Sequence, residues 1–362
     1  MPGQGAIALA TLDPPAWKAA SKVARVIHPI PPGTRDILPD EMRELRALQA
    51  TLSEVFQHYG FGEVATPTLE YDEVLQRGEG RGGVGAYRFF DERGDLLALR
   101  SDMTIPIARL AASRFADAEL PLRFSYIGNA YRVVRPQRAQ LRQFMHAGVE
   151  LLGAGAPEGT GEVIEVLSAS LDAVGLNRAV IGLGDADLYR QLLVELGVSA
   201  KAGTRVLDRL AERNLVGLEM EIDAIDGLDD SGRETLLRLP GIRGGAEVLE
   251  QARELGGKAV ERAAQRLQAT YDDLVERGVA GRVQLDFSLL RDLGYYTGAI
   301  VEVYDPALGH ILGGGGRYDD LVARFGREMP AAGFSLYLER VHLAQMEEER
   351  VAAEGLVEEE SK

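Results

Sequence analysis

The chain has 362 residues, 46% of them hydrophobic and 27% charged, a balance that suits a soluble globular protein of two or three domains. It contains no cysteine, which excludes disulfides, thiolate metal sites and cysteine nucleophiles and fits a reducing, cytoplasmic setting. A net charge of −16 weighs against partners gripped through their phosphates, and no apolar run approaches the roughly eighteen residues that a membrane span needs.

In chain order, residues 1–28 mix Gly, Ala and Pro without periodicity and read as a loose tail, with no basic-then-apolar pattern of a signal peptide. From Met42, the residues Leu45, Leu48, Leu52, Val55 and Phe56 fall at helical spacing. Pro39, Asp40 and Glu41 suit the first turn of that helix and Gly60 its stop. A short extended run, GEVATPTLE, follows. YRFFDERGDLLALR then reads as two strands joined across Arg93, Gly94 and Asp95. LRFSYIGNAYRVV and RQFMHAGVELLG form a second extended pair around a polar loop at 135–141.

Between 196 and 280 the texture turns helical. Val260, Ala264, Leu267, Tyr271 and Leu274 keep a four-three spacing, and 204–215 and 245–255 look similar. Extended segments return at RVQLDFSLL, YYTGAIVEVYDP and HILGGGG, and a last helix begins near Leu336. The tail at 346–362 carries seven Glu against one Arg and one Lys and reads as a solvated acidic end. The predicted fold class is therefore α+β: an antiparallel sheet flanked by helices, with a core of 29–195 and 281–345 interrupted by a helical insertion at 196–280.

General chemical motifs are sparse. There is no GxxxxGK[ST] phosphate loop and no HExxH helix, and the five histidines (His28, His58, His146, His310, His342) lack metal-ligand spacing. No metal and no cofactor is expected. LGGGGRYDD at 312–320 reads as a tight bend or a close backbone approach, or else as a phosphate cradle, the first two favoured by its context. The pair around 123–150 presents Arg132, Arg135, Arg138 and Arg142, together with Glu150. This is either a solvated charged hairpin or one wall of a pocket for a carboxylate or phosphate.

Taken together and in order, six segments resemble histidyl-tRNA synthetase, a class II aminoacyl-tRNA synthetase. GTRDILPDE with YGFGEVATPTLE is similar to the first motif, which forms the dimer interface in that family, with Pro67 at its place. ALRSDMT resembles LRPEGT, and the 126–153 region resembles the second motif and its loop. LLRDLGYYTGAIVE and GGRYDDLV resemble the two histidine-specific segments, and PAAGFSLYLERV the third motif. The resemblance covers residues 30–182 and 281–345 and implies the class II synthetase fold.

The departures from the family pattern fall on the nucleotide side. The second motif keeps Arg132 but has Val134 where an adenine-reading Glu stands, and Gln140 replaces a loop Arg. In the third motif Tyr337 occupies the position of a Gly that opens the nucleotide pocket, while Arg340 remains. A buried adenine amino group facing valine would lose about 1–3 kcal/mol. The resemblance thus implies no catalytic residues and no adenylate chemistry. On the amino-acid side it implies a histidine pocket built from Asp102, Thr104, Arg132, His146, Glu150, Arg291, Tyr295 and Tyr296. Asp102 stands for the Glu that meets the ammonium, Glu150 for the imidazole-facing Glu, and Arg291 for the histidine-contacting Arg. His146 departs from a Gln. An acid for an ammonium, a guanidinium for a carboxylate and an acid for an imidazole suit a histidine zwitterion.

After the third motif only the acidic tail follows, where histidyl-tRNA synthetases continue into an anticodon-binding domain of about a hundred residues. This profile is similar to the synthetase paralogues that serve as ATP phosphoribosyltransferase regulatory subunits in the first step of histidine biosynthesis. That resemblance implies feedback by L-histidine, a homodimer through the first motif, a hetero-octamer with the short-form catalytic subunit, and no tRNA or membrane partner. The alternative is a truncated histidyl-tRNA synthetase-like enzyme that activates an amino acid.

Overall fold

The computed structural model describes residues 30–79, 85–133, 141–290 and 294–360, with side chains to residue 353. The tail at 1–28 lies outside them, as do Val134, Arg135, Arg138, Gln140 and Arg291. In chain order the elements are α1 (Pro39–His58), β1 (Gly62–Glu63), β2 (Leu69–Tyr71), α2 (Asp72–Glu79), β3 (Arg88–Phe90), β4 (Leu96–Leu99) and α3 (Thr104–Arg114). There follow β5 (Leu122–Tyr131), β6 (Gln143–Leu152), α4 (Glu158–Ala173), β7 (Val180–Asp185), α5 (Leu188–Glu195), α6 (Ala200–Ala211), α7 (Leu215–Asp223) and α8 (Asp230–Arg238). The chain continues with β8 (Arg243–Gly244), α9 (Val248–Glu254), α10 (Lys258–Glu276), β9 (Val283–Asp286), β10 (Ala299–Tyr304), β11 (Ile311–Arg317), β12 (Ala331–Tyr337) and α11 (Leu338–Glu360).

Local chemistry accounts for the first of these. Proline at the head of α1 costs no hydrogen bond, because the first helical amides lack intrahelical acceptors. At its far end Gly60 takes a left-handed φ of 79°. The Gly60 and Phe61 amides then donate back to Gln57 and Phe56, satisfying the last carbonyls. In the β3–β4 hairpin, Asp91 Oδ1 accepts from the amides of Arg93 and Asp95 while Gly94 takes φ 88°.

Nine strands form one sheet in the order β1-β5-β6-β12-β11-β10-β7-β9-β8, and β2-β4-β3 form a second. The large sheet is mainly antiparallel, as expected, with two parallel pairings. β1 pairs with β5 in parallel and β7 with β9 in parallel, the rest being antiparallel. The cause of the second exception is the long helical excursion from β7 to β9, since a crossover of that length allows a strand to return in the same direction. The excursion also holds β8, which pairs with β9. α11 runs to Glu360, through most of the stretch expected as an acidic tail.

Alternation along the strands separates two cores. Ala147, Val149 and Leu151 of β6 join Phe334 and Leu336 of β12 in a cluster with α1, α4, α10 and α11. His146 and Glu150 therefore point to the other side. A second cluster gathers there, with Met103, Tyr126, Tyr295, Tyr296 and Tyr318.

The four glycines 313–316 lie inside β11, not in a bend. A Cβ on Gly315 would stand 2.0 Å from the Gly333 carbonyl of β12, and backbone there cannot yield. Gly315→Ala should cost about 1–3 kcal/mol by overpacking, measured by urea denaturation. Gly281→Ala, where a Cβ meets nothing within 4 Å, should stay within about 0.5 kcal/mol of the parent.

Candidate functional site

β6 and β12 supply the frame of the site through their register. Tyr337 lies opposite His146, Ser335 opposite Gly148 and Gly333 opposite Glu150. Both glycines are required by space. A Cβ on Gly148 would stand 2.1 Å from the Phe334 carbonyl, and one on Gly333 would stand 1.8 Å from Glu150 Oε2. Asp102 precedes α3, where its Oδ1 accepts from the Ile105 amide at 3.1 Å, and Thr104 opens that helix. Arg132 follows β5, and Tyr295 and Tyr296 precede β10.

These elements bring Asp102, Thr104, Arg132, His146, Tyr295 and Tyr296 onto one narrow cleft whose free volume, about 20 Å3, is room for about a single water. The Tyr295 hydroxyl donates to Asp102 Oδ2 at 3.3 Å, and its ring lies 4.9 Å from that of Tyr296. Glu150 lies behind this wall, 1% exposed. Thr104 donates to its Oε1 at 2.7 Å and the Tyr318 hydroxyl donates to its Oε2. Arg291, placed in the same set by the sequence, lies outside the described residues.

On the other side of the cleft, Tyr337 gathers the charged groups. Arg132 Nη1 donates to its hydroxyl at 3.2 Å, and Arg132 Nε to the Ser101 carbonyl at 3.1 Å. The Arg340 guanidinium lies 4.4 Å from the Tyr337 ring centroid, within cation–π range. His146 meets the same ring edge-on at 4.7 Å, and Phe144 lies 5.4 Å from it.

Two groups were not picked out from the sequence. Tyr318 directly follows Arg317 in the quoted GGRYDD segment, and that position was its one available signal. Tyr126 alternates with Phe124 along β5 and lines the cleft, its hydroxyl donating to the Phe334 carbonyl at 3.3 Å.

A family model described as histidyl-tRNA synthetase matches residues 33–341. A relative from Moorella thermoacetica, named ATP phosphoribosyltransferase regulatory subunit, is 40% identical over 88% of this chain and 82% of its own. The chain belongs to the histidyl-tRNA synthetase-like family of ATP phosphoribosyltransferase regulatory subunits. A protein named histidine–tRNA ligase from Thermococcus kodakarensis is also similar, 38% identical over 85% of this chain and 72% of its own. Among solved structures, an ATP phosphoribosyltransferase regulatory subunit/histidyl-tRNA synthetase from Bacillus halodurans C superposes with a TM-score of 0.81 at 31% identity. That superposition covers 89% of this chain and 84% of the other, so the fold of the family is the class II synthetase fold expected from the motifs.

Burial sets the charge state of the site. It pushes the Glu150 carboxyl up to about 8, against the hydrogen bonds from Tyr318 and Thr104 that favour the anion. Burial also raises Asp102 above its usual range, and Glu79, which accepts from Ser101 Oγ at 2.8 Å, shifts the same way. Near neutral pH the folded chain therefore holds a proton on Glu150 that the unfolded chain has released. Glu150's contribution to stability is complete below about 4.5 and is lost as pH rises through about 8. Denaturant unfolding across that window should show the parent losing stability more steeply than Glu150→Gln. The difference should approach one proton's slope, about 1.4 kcal/mol per pH unit.

Proposed function

We propose that the chain is the regulatory subunit of ATP phosphoribosyltransferase in the first step of histidine biosynthesis. It binds L-histidine for feedback control, is required for activity of the short-form catalytic subunit, and has no catalytic activity of its own. Tyr337 is the observation that carries this reading. Arg132 and Arg340, the two arginines kept from the nucleotide side of the synthetase motifs, are both engaged by that one side chain. A packed interior leaves no slack for an adenylate beside a ring in that place. Asp102, Thr104, His146, Tyr295 and Tyr296 line the cleft next to it, with Glu150 behind them.

In this reading the histidine ammonium meets Asp102, its ring stacks near Tyr295 and Tyr296, and Glu150 faces the imidazole. Glu150 holds a proton near neutral pH, so handing that proton to an imidazole nitrogen would leave a carboxylate to accept the resulting N–H. Arg291 supplies the carboxylate contact. Two chains pair through the first motif and the small sheet beside it, where Leu69, Tyr71 and Phe89 stand exposed on one face. The pairs assemble with the catalytic subunit into a hetero-octamer in the cytoplasm, without tRNA. No helix among the described residues is long and apolar enough to cross a membrane.

The first test is of assembly and histidine binding. Co-expression with the short-form catalytic subunit should give one large assembly whose activity falls with added histidine. Calorimetry should find that Glu150→Gln and Arg291→Ala each weaken histidine binding by about tenfold or more, near 1.4 kcal/mol. Unchanged affinity in both would make the cleft a relic. The similarity to the Thermococcus kodakarensis ligase sets the second test, histidine-dependent pyrophosphate exchange by the chain alone. No exchange above background is expected, and turnover at synthetase rates would establish the amino-acid-activating alternative.

A further inference from the structure

α7 carries a second exposed apolar face, away from the first motif. Residues of a helix turn by about 100° each, so Val216, Glu219, Met220 and Asp223 share one side, Leu215 lies at its edge, and Leu218 and Ile222 turn away from it. Leu218 and Ile222 are buried. Leu215, Val216 and Met220 are 63%, 73% and 69% exposed. Three large apolar side chains grouped on one short helix gain nothing from water, and such grouping marks contact surfaces. The rim is acidic. Residues 215–230 include Glu219, Glu221, Asp223, Asp226, Asp229 and Asp230 and no Lys or Arg. Arg205 and Arg209 pair with Glu221, and Arg233 with Asp223 and Glu219, which neutralises the carboxylates of α7 and leaves the acidic rim to Asp226, Asp229 and Asp230.

The face is also tied to the cleft. Arg213, just before α7, is the one non-glycine residue with a left-handed backbone among the described residues, at φ 53°. Its Nη2 donates to Glu302 Oε2 at 2.8 Å. Glu302 lies on β10 opposite Gly314 of β11, and Gly314 lines the cleft.

We propose that this face of α7 is the docking surface for the catalytic subunit, which presents to it an apolar centre ringed by Lys and Arg. The inference rests on the regulatory-subunit reading above. Charge decides the occupant. A second copy would bring the same acidic rim against itself, and opposed like charges disfavour that pairing, whereas a basic rim is complementary. A nucleic acid is disfavoured for the same reason.

The test uses the full chain and the short-form catalytic subunit, with Val216→Asp/Met220→Asp and, separately, Glu219→Lys. Each variant is first checked for the dimer mass and unfolding temperature of the parent. Parent affinity should fall as salt rises, the double variant should lose about tenfold or more, and Glu219→Lys should weaken binding most at low salt. If the parent assembles and both variants bind as tightly as it does, the docking surface lies elsewhere, while the regulatory reading stands. If the parent does not assemble at all, it is the regulatory reading that fails. Self-association of the parent beyond a dimer, abolished by the double variant, would assign the face to a second copy and overturn the proposal.

Discussion

A carboxyl group shielded from water, carried by β6, lies over the neighbouring strand β12, which gives up a side chain to make room. Glu150 stands opposite Gly333 in the β6–β12 register, and no larger residue fits there. Its two oxygens are held by hydroxyls from distant parts of the chain, Thr104 at the head of α3 and Tyr318 after β11. An unpartnered carboxyl at this depth would cost several kcal/mol, so the fold must deliver both donors. Delivering them fixes where α3 and the end of β11 lie relative to β6. The cleft inherits its shape from that arrangement: Asp102 sits two residues from Thr104, and the Tyr295 ring packs edge-on against Tyr318 at 5.9 Å.

The glycines of β11 follow from the same constraint. Gly313 and Gly315 let β12 approach so closely that added Cβ atoms would stand 2.3 and 2.0 Å from its carbonyls. A run of glycine looks like a bend in sequence because glycine is costly inside strands. Here that cost is met because side chains would hold β12 away from its neighbours, and β12 carries both Gly333 and Tyr337.

What could be read from the sequence was local. α1 carries its periodicity, its proline start and its glycine stop within 22 residues, Pro39 to Gly60. The β3–β4 and β5–β6 pairs likewise join adjacent segments, and the motif order pointed to the cleft residues. α4 was missed because Gly159 and Gly161 in its first turn lower helix propensity. A Cβ on Gly161 would stand 1.6 Å from Asp273 Oδ2, so that glycine serves the packing of α4 on α10. The partners that decide the chemistry are 168 residues apart for Tyr318 and Glu150 and 205 for Arg132 and Tyr337. No periodicity or spacing rule reaches that far. Only the sheet register shows that Tyr337 lies beside His146.

Tyr337 changes the kind of question that such a cleft answers. An enzyme that binds an amino acid next to an open nucleotide site consumes what it binds, and its occupancy depends on the supply of both substrates. With the Tyr337 ring lodged between Arg132 and Arg340, the proposed reading leaves a bound amino acid one way out, by dissociating unchanged. Occupancy then reaches equilibrium and reports free concentration alone, as the reading of a gauge does, independent of how fast anything is being made.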